Sequence, residues 1–132
     1  MMEVPTILRE HAAELAGHTG YPVDVEPNGD RIYVLVRQVL LPAGAYTNDR
    51  SDILMIADFQ YPMSAMDMFF MEESVHHARV PIPEHAKTIE EHLGRRWRRW
   101  SWHRNGRWTP GVDGIGSHWA MIEARWDKER SQ

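Results

Sequence analysis

A hairpin signature near the start of the chain constrains the fold most. Val23 to Glu26 alternates apolar and acidic residues, Pro27-Asn28-Gly29-Asp30 supplies a turn, and Arg31 to Leu41 is a long, largely β-branched run. Pro42-Ala43-Gly44-Ala45 breaks that run, and residues 46–51 (YTNDRS) form a polar loop. Asp52 to Phe59 then reads as a buried strand, stopped by Tyr61-Pro62, and Met66 to Met71 reads as the next. Connections this short favour antiparallel neighbours, so a meander of four strands is expected.

Helical spacing flanks the meander. Residues 5–16 read as a helix, with Pro5 in its first turn, a cap near Thr6, and Ile7, Leu8, His11, Ala12 and Leu15 on one side. Gly17 and Gly20 are read as its end. Asp113 to about Glu129 reads as a second helix, with Ile115, Trp119, Ile122 and Trp126 forming a stripe that packs on one face of a sheet. Asp113 or Ser117 is its expected cap, and the tail DKERSQ is expected to fray. Between meander and last helix, Pro81 and Pro83 exclude a central strand. Thr88 to Leu93 reads as a short helical turn closed by Gly94, and residues 95–103 as a strand or extended flap. In an extended flap Ser101 and His103 share one face and Trp100 and Trp102 the other. The expectation is an α+β two-layer fold in one domain spanning 1–132, with its core over about 5–127.

Composition narrows the chemistry. The chain has no cysteine, which removes disulfides, thiolate zinc sites and a cysteine nucleophile. Eight histidines leave a histidine–carboxylate metal site open. However, the adjacent His76 and His77 diverge in a strand, no His-Glu-x-x-His is present, and His103 and His118 lack helical spacing. No metal and no cofactor is therefore expected. The apolar runs are far shorter than the roughly 20 residues of a membrane span. The N-terminus lacks the basic and apolar regions of a signal peptide, so a cytoplasmic protein is expected.

The net charge of −4 conceals an asymmetry. Arg95 to Arg107 holds six arginines and no acid, leaving 9 basic against 19 acidic side chains elsewhere. The same region, Trp97 to His118, holds four of the six tryptophans. Trp97, Arg98, Arg99, Trp100, Trp102, Arg104, Arg107 and Trp108 are thus candidate partner contacts. The competing reading pairs these arginines with the chain's own acids and packs the tryptophans internally. Arginine with aromatics also suits single-stranded nucleic acid, but the acidic remainder argues against it.

Several local patterns resemble one family. They are Leu41-Pro42-x-Gly44, Asp52 to Phe59 leading into Tyr61-Pro62, and Met66-Asp67-Met68-Phe69-Phe70. To these add Arg99-Trp100-Ser101-Trp102-His103 and Trp108-x-Pro110-Gly111-x-Asp113-Gly114 followed by His118. Together, over roughly residues 7–126, they resemble the bacterial prokaryotic E2 family E, and the order of elements resembles the E2, or ubiquitin-conjugating, fold. The resemblance implies a component of a bacterial ubiquitin-like system, partnered by an E1-like activating enzyme and a ubiquitin-like or multi-ubiquitin protein. E2 enzymes carry the modifier on a cysteine about eight residues before a Trp-Ser-Pro. Here Trp108-Thr109-Pro110 resembles that motif, and Trp100 and Ser101 stand where the cysteine would fall.

The chemistry then turns on a hydroxyl. Ser101 is the candidate nucleophile for an oxyester, with His103 or His118 as base, since a hydroxyl needs one within hydrogen-bond reach. Asp113 is the candidate orienter of either imidazole, and the backbone amides from Gly111 to Gly116 are candidate oxyanion donors. The alternative is a non-catalytic E2-like module that binds the modifier or the E1-like enzyme. The sequence does not fix the oligomeric state.

Overall fold

The computed structural model describes residues 3–103 and 106–130. Among them, two helices and six strands form an α+β fold in the order α1 (Thr6–Thr19), β1 (Val23–Asn28), β2 (Arg31–Leu40), β3 (Arg50–Asp58), β4 (Phe69–Glu72), a 3-10 turn (Glu84–Ala86), β5 (Ile89–His92), β6 (Arg95–Trp100) and α2 (Ile115–Arg130). The strands make one antiparallel sheet in the order β1-β2-β3-β4-β6-β5. The expected count of four strands therefore falls short by two. Both added strands come from residues 89–100, where a short helical turn and then a strand or extended flap were anticipated.

Local conformation explains each difference. Leu93 and Gly94 both have positive φ, 56° and 70°. That makes a two-residue hairpin turn between β5 and β6, so Gly94 serves a strand pair and not a helical turn at Thr88 to Leu93. Met68 is also left-handed, φ 58°, which delays β4 to Phe69 and shortens the strand expected from Met66. Gly17 continues α1, and Gly20 ends it with φ 82° and its N–H on the Ala16 carbonyl. Ile7 is 37% exposed, so the buried stripe of α1 is Leu8, Ala12 and Leu15.

The two faces of the sheet are unlike. On one face, Ile32, Val34 and Val36 of β2, Ile53 and Met55 of β3, Phe69, Met71 and Trp100 pack against both helices. The expected α2 stripe is fully used here, with Ile115, Trp119, Ile122 and Trp126 each no more than 4% exposed. On the other face a smaller cluster of Tyr33, Leu35, Leu54, Phe70 and Trp97 is flanked by Ile56 and Leu93. The alternation of β6 sends Trp97 to one face and Trp100 to the other.

Candidate functional site

Ser101 follows directly on β6. That strand is paired with β4 and β5 along its length, and the Phe69–Trp100 pair is its last. Past the pairing with β5, Arg99 N–H donates to the Thr88 carbonyl and Ser101 N–H to the His85 carbonyl, each at 2.9 Å. Ser101 is half-buried. Its Oγ accepts from Arg99 Nε at 3.0 Å. The same guanidinium donates to Glu90 at 2.9 Å, Glu90 bonds His92 Nε2 at 2.9 Å, and His92 Nδ1 meets the Tyr33 hydroxyl at 2.9 Å. A continuous side-chain chain therefore runs from the buried Tyr33 out to Ser101. Among the described residues, no imidazole hydrogen-bonds to the Ser101 hydroxyl.

His103 is exposed, and its Nδ1 faces Asp67 at 2.7 Å. Asp67 thus holds the orienting place that spacing gave to Asp113. Asp113 instead closes its own turn, accepting the Thr109 N–H at 2.7 Å. His118 is wholly buried, and its Nε2–H donates to the Met68 carbonyl at 2.6 Å. The same strap from residues 67–68 therefore receives both histidines, while Ser101 is held by β5, β6 and the 3-10 turn.

The Pro-Gly-x-Asp-Gly turn is fitted to the Tyr61-Pro62 segment, whose peptide bond is cis. A Cβ at Gly114 would lie 2.6 Å from the Tyr61 hydroxyl, so only glycine fits there. That hydroxyl accepts the Ile115 N–H at 2.8 Å and bonds His11 of α1. Burial raises the Tyr61 pKa, with the Ile115 amide acting the other way. Trp108 Nε1–H donates to the Pro62 carbonyl at 2.8 Å, and Ser117 Oγ accepts the Gly114 N–H at 3.1 Å, so Ser117 supplies the expected cap.

The candidate partner residues divide. Trp97, Trp100 and Trp102 are core residues, exposed by 0%, 0% and 3%, and offer no stacking platform at the surface. Arg98 is buried between the Glu73 and Ala86 carbonyls. Arg99 pairs with Glu90, Arg96 with Glu73 and Arg95 with Asp52. Burial alone would raise the Asp52 pKa, but hydrogen bonds from Arg95 and Gln38 outweigh it and hold the carboxyl below its ordinary range. Much of the arginine run thus answers the chain's own acids and carbonyls. Arg107 and the 79%-exposed Val112 lie at the surface, with Trp108 half-buried near them. Arg104 lies outside the described residues.

Spacing missed one cluster altogether. His77, His85 and Glu129 bring one ligand atom each within 4.8 Å of one another, and His77 Nε2 lies 3.1 Å from Glu129. The three come from a loop, the 3-10 turn and the last turn of α2, so no sequence interval relates them. Nδ1 of the adjacent His76 lies 3.0 Å from the His77 carbonyl.

Compared with known proteins, residues 9–129 match the family described as prokaryotic E2 family E. No curated protein and no solved structure matches the chain. Among the described residues, no helix is long and apolar enough to cross a membrane.

Proposed function

Because the chain belongs to prokaryotic E2 family E, we propose that it is the E2-like component of a bacterial ubiquitin-like conjugation system. In this reading it holds a ubiquitin-like or multi-ubiquitin modifier delivered by an E1-like activating enzyme. The family match over residues 9–129 carries the proposal. The lack of cysteine rules out a thioester on this chain.

The surroundings of Ser101 support positioning over covalent carriage. A guanidinium has donors only and cannot remove a proton, and Arg99 occupies the serine oxygen. The exposed loop with Arg107, Trp108 and Val112 is then the natural contact for a partner.

One observation favours a second reading, the oxyester. Ser101 is partly open to solvent, and the cationic donor at its Oγ stabilises negative charge there. In that scheme Oγ bonds to the C-terminal carbonyl carbon of the activated modifier and the thiolate of the E1-like enzyme leaves. In the same scheme His103, with Nδ1 held by Asp67, is the base that takes the hydroxyl proton on Nε2. His118 and Asp113 then act by positioning, through the Met68 carbonyl and the 109–113 turn.

Incubation with the E1-like enzyme, the modifier and ATP separates these readings. Positioning predicts capture of the modifier, equally strong with Ser101→Ala and His103→Ala, and no covalent adduct. The oxyester predicts a hydroxylamine-labile adduct that Ser101→Ala abolishes. Neither capture nor adduct with the wild-type protein would sink the E2-like reading as a whole.

A further inference from the structure

The structure assigns His77, His85 and Glu129 as a binding site for one divalent transition-metal ion of the zinc class, fastening the segment behind Ser101 to the C-terminal helix. Two imidazoles and a carboxylate make a three-ligand nitrogen–oxygen set that leaves a fourth position open. Zinc held about 2.0–2.2 Å from each ligand asks for ligand atoms roughly 3.3 Å apart. The His77–Glu129 pair already stands at 3.1 Å, and all three ligand atoms lie within 4.8 Å. Loading the ion would require the half-buried His85 ring, packed against Trp100 and Trp102, to move by the remainder.

The polar groups at the cluster are left over by the fold. His85 Nε2 is buried and hydrogen-bonds to nothing among the described residues. So is the hydroxyl of Tyr46, a residue 5% exposed whose ring stacks on His77 at 5.4 Å. An unsatisfied buried polar group is costly, and two in one place point to a missing partner. The side chain of Glu129 is itself only 8% exposed, and a carboxylate so enclosed calls for positive charge. Arg125 is stacked on Trp102 at 4.9 Å and Arg79 borders the same cavity, and among the described residues neither forms an ion pair with Glu129. Among the described residues Glu129 makes its ion pair with His77.

Protonation states agree with a ligand role. Burial holds the His85 pKa below that of an ordinary histidine, against the pull of Glu129, so its imidazole is neutral at pH 7. Burial and then the Glu129 charge push the Tyr46 pKa far up, keeping its hydroxyl a donor. A cavity of about 50 Å³ bordered by Gly44, Ala45, Arg79 and Val80 reaches both His77 and Glu129.

The place of the site in the fold gives the ion its role. The His85 carbonyl receives the Ser101 N–H, and His77 bridges to Tyr46. An ion shared with Glu129 therefore ties the proline-bearing crossover to α2 and fixes the backbone from which Ser101 projects.

The test uses the full chain, freed of metal by chelation, and Zn²⁺ alone as ligand. Calorimetric titration is expected to show one ion per chain and a rise in Tm that saturates with it. Co²⁺ in place of Zn²⁺ is expected to give visible d–d absorption. His85→Gln keeps a half-buried polar side chain and is expected to bind at least tenfold more weakly, as is Glu129→Gln. His18→Gln, on the exposed side of α1, is expected to bind like the wild type. Absence of saturable binding by the folded wild-type protein, or undiminished affinity in His85→Gln, overturns the assignment. No activating enzyme or modifier enters the assay, so its result is independent of the E2-like reading.

Discussion

Strand β6 sends a tryptophan into each face of the sheet, and the polar groups around the two are treated in opposite ways. Beside Trp97 every link is closed. Its indole donates to the His92 carbonyl at 2.9 Å, and Tyr33, His92, Glu90, Arg99 and Ser101 bond in sequence. Arg95 lies over its ring at 4.3 Å. Beside Trp100 the links are missing: the indole N–H groups of Trp100 and Trp102, His85 Nε2 and the Tyr46 hydroxyl all lack hydrogen bonds among the described residues. A closed polar network rigidifies and specifies, whereas a half-satisfied one is costly. The first region is therefore completed by the fold, and the second retains donors and a lone pair for something the chain does not supply.

Exchanging each tryptophan for phenylalanine probes this contrast most strongly. Both lose similar volume, but Trp97→Phe also strands the His92 carbonyl. Urea unfolding of metal-free protein is expected to find Trp97→Phe less stable than Trp100→Phe by about 1–3 kcal/mol. Equal stabilities, or the reverse order, would show that the two faces do not differ as described.

The tyrosines give a finer version. Tyr33→Phe removes a partner of buried His92 and is expected to cost about 1–2 kcal/mol. Tyr46→Phe removes a hydroxyl with no hydrogen bond, and its expected cost in the absence of metal is close to zero or slightly favourable. A clearly destabilised Tyr46→Phe would mean that its hydroxyl is already satisfied.

The smallest effect is in pH. The folded-state pKa of His85 is depressed, chiefly by burial. Its contribution to stability is therefore fully present above the unfolded value of about 6.5 and is lost as pH falls through the lower folded value. Glu129, His77 and Arg125 share its surroundings, so the test is a difference. The loss of stability on acidification below about 6.5 should be shallower in His85→Gln than in wild type, as read by Tm. Superimposable slopes would remove His85 from the titration.

Elements whose signal lay within a few consecutive residues were legible before folding was considered. Arg31 to Leu40 pairs with β1 and β3 because its apolar, largely β-branched run and the Asn-Gly turn act locally. The α2 stripe packs because four apolar side chains recur at helical spacing. The short β5 is not legible in sequence because Gly94 permits either a helix end or a hairpin turn, and only pairing with β6 chooses between them. The aromatic run is plain in the sequence, but which ring goes to which face depends on how the sheet is covered on both sides.

The stretch around Ser101 shows where sequence stops. Local pattern and composition determined the α+β class and the absence of a thiol. Tertiary structure alone decided that Arg99 meets the Ser101 hydroxyl, that Asp67 rather than Asp113 faces His103, and that His77 meets Glu129. The last two pairings span 36 and 52 residues, and hydrogen bonds at that separation follow from how the sheet and helix pack. No interval within the chain encodes them.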